Sequence, residues 1–372
     1  MKASKTAPAA ILLTALVAIA SLVALLVPPP AKAVSRSFFG IVPQTGLTEQ
    51  DAEYMRAARI GSVRWPFAWS GAQPDPQGFE WGPFDEIVTI AARQRLRILP
   101  FVYSTPSWVT RKFTVMPVNN GRQRRAWSAF LAAAVERYGP RGDFWAEHGP
   151  GTPDPLPRMP IVDWQIWNEA NFFYFTTPAS PTAYARLVKL SDRAMRRADP
   201  AARLMLSGLF AEPSARPPRA MHATDFLDRL YGVPGIKRSF EGVALHPYAE
   251  DAADLERMTE GLRSVMVRNG DPGARLYMTE MGWGSQHNPN LVSFEQGVGF
   301  QLREMRLAYR YLIGNRGRLN LKGTYWFTWK DVTGSCNFCD STGFFRRNNG
   351  PRLKPKAAWR TFVDITGGRA RP

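Results

Sequence analysis

Two glutamates end otherwise apolar runs: Glu169 closes "VDWQIWNE" and Glu280 closes "ARLYMTE". A charged carboxylate in such a place costs free energy unless it is paired or used in chemistry. Two carboxyls facing each other can divide labour. One, kept neutral, gives a proton to a leaving oxygen; the other attacks as a nucleophile or activates water. Cleavage of a glycosidic bond asks for such a pair. A salt-bridged strand end is the ordinary explanation of one such glutamate, and a poor explanation of two set among aromatics. Further polar residues in comparable places are Arg64 in "SVRW", Asn168 beside Glu169, and His246 and Tyr248 in "LHPY". Trp326 and Trp329 lie in "YWFTWK".

The elements that must position these residues can be read along the chain. Eight short apolar runs read as strands, over residues 38–43, 62–69, 97–104, 162–169, 203–210, 242–248, 275–282 and 323–330. Runs such as "RILPFVYS" are nearly continuous in apolar residues, which suits parallel strands buried on both faces. Helical patterns alternate with them. Thr48 opens the first as an N-terminal cap with acids in the first turn; 122–138 stops at Gly139-Pro140; 181–198, 252–269, 294–313 and 356–363 repeat the pattern. Eight strands alternating with helices predict an α/β fold, a single (β/α)8 TIM barrel, whose active site lies at the C-terminal ends of the strands. Residues 141–160, rich in Gly and Pro, read as a surface insertion before strand four, and one that could close the cleft.

In this order, the motifs resemble glycoside hydrolase clan A, barrels with an Asn-Glu pair ending strand four and a Glu ending strand seven. "IWNEANFF" looks like the acid/base motif of families 39 and 5, "YMTEMGW" like the nucleophile strand, and "SVRW", "LHPY" and "YWFTWKD" like the accompanying Arg, His-x-Tyr and Trp. Family 39-like enzymes are the nearest match. One departure is Ala170, where many relatives carry Pro.

The resemblance implies roles. Glu169 is expected to be the general acid/base, with Trp164, Trp167, Phe172 and Phe173 as apolar surroundings that raise its pKa. Glu280 is expected to be the nucleophile, held by Arg64 and the hydroxyl of Tyr248. Asn168 would bond the sugar 2-hydroxyl, and His246 would orient a carboxylate or touch the sugar. Trp326 would form the floor under the sugar ring, with Trp329 as its competitor. Trp69, Trp81 and Trp108 are either sugar platforms or caps of the barrel core. No metal or organic cofactor is expected: His148, His222, His246 and His287 show no metal spacing.

Composition sets the wider frame. The 372 residues are 45% hydrophobic and 12% aromatic, too apolar for a disordered chain. An uncharged apolar run over 10–27 follows Lys2 and Lys5 and precedes three prolines and Ala31-Lys32-Ala33, the layout of a secretory signal peptide cleaved after Ala33. An uncleaved anchor is the competing reading. The domain organisation expected is therefore a signal peptide, 1–33, and a catalytic domain, 34–372, exported or secreted and soluble once mature. The formal charge of +17 suggests an acidic polysaccharide or oligosaccharide as partner, though solvated helix faces explain much of it. Nucleic acid is not expected, since no basic tail or RNA-binding motif is present. Cys336 and Cys339 read as a local disulfide of an exported chain. The function expected is a retaining β-glycosidase. The rivals are a catalytically silent glycan-binding barrel and a transglycosylase.

Overall fold

The structure, a computed structural model, describes residues 34–287, 294–334, 336, 338–347 and 352–372. The signal-like segment, 1–33, lies outside the described residues. From Arg36 onward eight parallel strands close into a barrel in chain order: β1 (Phe39–Val42), β2 (Ser62–Ala68), β3 (Arg97–Tyr103), β4 (Asp163–Ile166), β5 (Arg203–Phe210), β6 (Gly242–His246), β7 (Arg275–Met281) and β8 (Leu321–Phe327). β1 closes the ring by pairing with both β2 and β8. This is the (β/α)8 barrel expected from the alternation of apolar runs and helices. No helix among the described residues is long and apolar enough to cross a membrane.

The helices form where the pattern places them, with small shifts at their ends. Thr48 caps helix Glu49–Ala57 in a reciprocal box: its hydroxyl accepts from the Asp51 amide and its own amide donates to the Asp51 carboxylate, both at 3.2 Å. Two barrel helices escaped the sequence reading, Gly82–Arg93 and Ala223–Tyr231. The first begins Gly-Pro, which reads as a turn although proline fits a helix's first turn.

Residues 141–160 form a short helix, Asp143–Glu147, and irregular chain. They connect helix Gly121–Tyr138 to the start of β4, so they run at the N-terminal end of the barrel. Phe144 and Trp145 are buried, and the Trp145 indole donates to the Tyr138 carbonyl. The expectation that this insertion could close the cleft is overturned, because a connection from a helix into a strand lies at the end opposite the cleft.

Candidate active site

The strands bring six of the seven expected residues together. Arg64 lies on β2, His246 ends β6 and Glu280 is the penultimate residue of β7. β4 stops at Ile166, three residues short of the expected end. Trp167 and Glu169 take φ of 74° and 40°, a left-handed conformation that non-glycine residues rarely adopt. Such strain tends to persist at functional sites, and here it turns Glu169 into the barrel mouth.

Arg64, fully buried, organises the site. Its Nε donates to Gln165 Oε1 at 2.6 Å, one terminal nitrogen to Glu280 Oε1 at 2.5 Å and the other to Asn168 Oδ1 at 2.6 Å. Its guanidinium carbon sits 3.9 Å from the centroid of the Phe101 ring. A buried cation is tolerable only when its donors are matched in this way. The Tyr248 hydroxyl donates to Glu280 Oε2 at 2.5 Å. Burial first, and then the charge of Glu280, push this phenol well above its ordinary pKa, so it keeps its proton.

His246 lies between the glutamates, its Nδ1 2.9 Å from Glu169 Oε1 and 3.5 Å from Glu280 Oε2. Burial first, and then Arg64, hold its pKa well below that of free imidazole, so the ring is neutral with one N–H. The neighbours decide which nitrogen carries it. Arg64 occupies Gln165 Oε1, so the Gln165 amide group donates to the Leu206 carbonyl at 3.2 Å and to Thr279 Oγ1 at 3.3 Å. The Thr279 hydroxyl, accepting there, keeps a proton to give to His246 Nε2 at 3.0 Å, and we assign it there because this leaves the single ring N–H for the Glu169 carboxyl, 2.9 Å from Nδ1. Nδ1–H is then the donor to Glu169. Gly208 leaves room for this contact: a Cβ there would lie 1.9 Å from His246 Nε2.

Gln165 and Thr279 are the residues the sequence reading missed. Both are uncharged and sit inside apolar runs, and the available signal was that a buried amide must find partners. Glu169 itself is pushed well above the ordinary carboxylate range by burial first and by Glu280 second, against the pull of Arg64.

Above these groups opens a cleft of about 840 Å³. Glu169, Glu280, Asn168 and Tyr248 reach it, with Trp65, Phe101, Tyr103, Phe172, Phe210 and Phe327 among its aromatic walls. Among the described lining residues the glutamates are the only charged ones. Arg64 and His246 are absent from the described lining and act through the carboxylates: Arg64 holds Glu280 as expected, and of the two roles open to His246 the ring takes the orienting one. Cys336 and Cys339 are disulfide-bonded and line the cleft.

Trp326 is corrected. It is fully buried away from the cleft, stacked on Phe344, with its indole donating to the Thr342 carbonyl at 3.0 Å. Side chains alternate along β8, and the neighbours Tyr325 and Phe327 take the inward positions, so Phe327 lines the cleft instead. Trp329 is buried too, its indole on Asp51 Oδ1. Trp69, Trp81 and Trp108 belong to an aromatic layer around Phe130 and Trp127, not to the cleft lining.

One oxygen of each glutamate and one ring nitrogen of His246 lie within 4.8 Å of one another, a grouping that could hold a metal ion. The charges oppose it. Arg64 already pairs with Glu280 Oε1, so a dication on the same carboxylate would lie against a buried guanidinium and be repelled by it.

A family model described as beta-galactosidase, glycosyl hydrolase family 42, matches residues 43–135. A beta-galactosidase of Thermus thermophilus is 33% identical over 82 residues, which cover 21% of this chain and 13% of that protein. A family 39 glycoside hydrolase from Bacteroides cellulosilyticus WH2 superposes with a TM-score of 0.62 at 16% identity, covering 90% of this chain and 65% of that one. Each of these is described as a glycoside hydrolase, in keeping with the resemblance to clan A that the motifs carry. A monomeric beta-xylosidase from Caulobacter crescentus CB15 has a TM-score of 0.62 at 15% identity, covering 89% of this chain and 68% of that one. At such identities the structures show the barrel. The chain spans about an eighth of the length of the curated relatives it matches. The region matched by the family model contains Arg64 but neither glutamate, so the roles of Glu169 and Glu280 rest on the site's own geometry.

Proposed function

We propose that this hydrolase cleaves β-O-glycosidic bonds with retention of configuration, by double displacement on a neutral oligosaccharide or polysaccharide. The observation that carries this reading is the approach of the two glutamates, oxygen to oxygen within 4.8 Å. Retaining enzymes hold their carboxyls about 5–5.5 Å apart, whereas inverting ones leave roughly 6.5–9.5 Å for a water.

Glu280, oriented by Arg64 and Tyr248, attacks the anomeric carbon. The bonding pair leaves with the glycosidic oxygen, which takes a proton from Glu169. Because His246 donates to Oε1 of Glu169, the transferable proton belongs on Oε2. Water, deprotonated by Glu169, then displaces Glu280 and regenerates the acid. With Asn168 Oδ1 held by Arg64, its amide group is free to donate to the sugar 2-hydroxyl. The neutral substrate is inferred from the described lining residues of the cleft, among which an acidic sugar meets no cation.

The two carboxylates separate in a leaving-group test. Glu280→Ala should abolish turnover of every glycoside. In kcat/KM, which reports the glycosylation step, Glu169→Ala should lose about 10²- to 10⁴-fold on poor leaving groups and little on dinitrophenyl glycosides, whose departure needs no proton. Equal losses on both substrates would contradict the assignment.

We also propose export, from the basic, apolar and small-residue parts of residues 1–33. Protein recovered outside the cytoplasm should begin near Val34. An intact Met1 on soluble cytoplasmic protein would contradict this.

A further inference from the structure

At the end of the barrel opposite the two glutamates, the strands begin on cations. Arg97 is the first residue of β3, Arg203 of β5 and Arg275 of β7, and Lys322 is the second of β8. With Arg158, from the connection into β4, they line one cavity of about 740 Å³. Among the described residues Asp163 is the single carboxylate in that lining, and both its oxygens accept from Arg203, at 2.7 and 2.9 Å. The other four cations find no acid in the lining.

Like charges gathered around one cavity raise each other's energy, because screening is incomplete inside a Debye length of about 8 Å. Nearby, Arg36 is held below its usual pKa by burial first and then by Arg56, Arg59 and Arg97, so the crowding extends beyond the cavity. Helix faces could have dispersed these charges; the strand starts converge them. An anion relieves the repulsion, and a guanidinium offers carboxylate or phosphate two parallel N–H donors. The catalytic cleft has no cation in its described lining, so this concentration of charge serves something other than the substrate there.

We propose that the basal cavity binds a multivalent oxyanion, carrying two or more carboxylate or phosphate groups on one small molecule or one chain end. The four unmatched cations favour several charges over one. This site does not depend on the reaction proposed for the cleft.

Calorimetric titration of the full chain with citrate and with inorganic phosphate, at constant ionic strength, tests it. One site per chain is expected, weakened about tenfold or more in Arg97→Gln/Lys322→Gln, where two charge-assisted contacts are lost. Both residues are exposed, so the fold should tolerate the change. Arg193→Gln/Arg197→Gln, exposed cations on helix Pro181–Ala198, should bind citrate as the parent does. Turnover of glycosides should be unchanged in both pairs. Heat no greater than with chloride, or equal weakening in the two pairs, would overturn the proposal. Cosedimentation then identifies the source: retention on vesicles containing cardiolipin, whose headgroup carries two phosphates, points to lipid headgroups, retention on insoluble polygalacturonate to polymer carboxylates, and retention on neither, with citrate still bound, to free anions.

Discussion

His246 touches both glutamates yet carries a single proton, and Thr279 decides where that proton sits. Replacing Thr279 by Val keeps the shape and removes the donor to Nε2. The ring can then reverse its tautomer and accept from Glu169 instead of donating to it. The acid proton is drawn to Oε1, away from the cleft. Thr279→Val should therefore lose about tenfold on substrates with poor leaving groups, a part of what general-acid catalysis supplies, and little on dinitrophenyl glycosides. The pH profile adds a second readout. Activity should fall as pH rises through the elevated pKa of Glu169, because the acid form is lost. Losing the Nδ1–H bond removes support for the carboxylate, so in Thr279→Val this falling limb should move to higher pH. Equal losses on both substrates with an unmoved limb would reduce Thr279 to a packing role.

At the scale of elements, function is divided between the two ends of the strands. The C-terminal ends carry Glu169, His246 and Glu280, and the 141–160 connection sits at the other end. Replacing residues 149–155 with a short Gly-Ser link should therefore leave KM for long and short substrates unchanged, as steady-state kinetics would show. A shift in chain-length preference would mean that the segment reaches the cleft. The strands were legible because burial on both faces makes them nearly continuous apolar runs. The same property hid the parity of β8: when both faces are apolar, the pattern cannot say whether position 326 or 327 points inward. The early end of β4 was hidden as well, since positive φ at Trp167 and Glu169 is imposed by the surroundings and leaves no mark in residue type. Asn168, Glu169, His246, Tyr248 and Glu280 could be read because charged and polar groups at or just past the ends of apolar strands stand out, and Arg64 because it is a charge inside one, while Gln165 and Thr279 are uncharged and act from within.

At the scale of the whole molecule, a formal charge of +17 coexists with a catalytic cleft whose only charged lining residues, among those described, are acids. Net charge alone pointed to an acidic substrate. Its distribution, with cations gathered at the base of the barrel, separates the catalytic surface from the anion-attracting one. The central claim is that Glu280 forms a covalent bond to the sugar, its carboxylate standing oxygen to oxygen within 4.8 Å of Glu169. Proton NMR of the sugar first released from a β-glycoside, recorded before mutarotation, tests this most directly. The account predicts the β-anomer. An initial α-anomer would mean inversion, and Glu280 would then be a base that activates water.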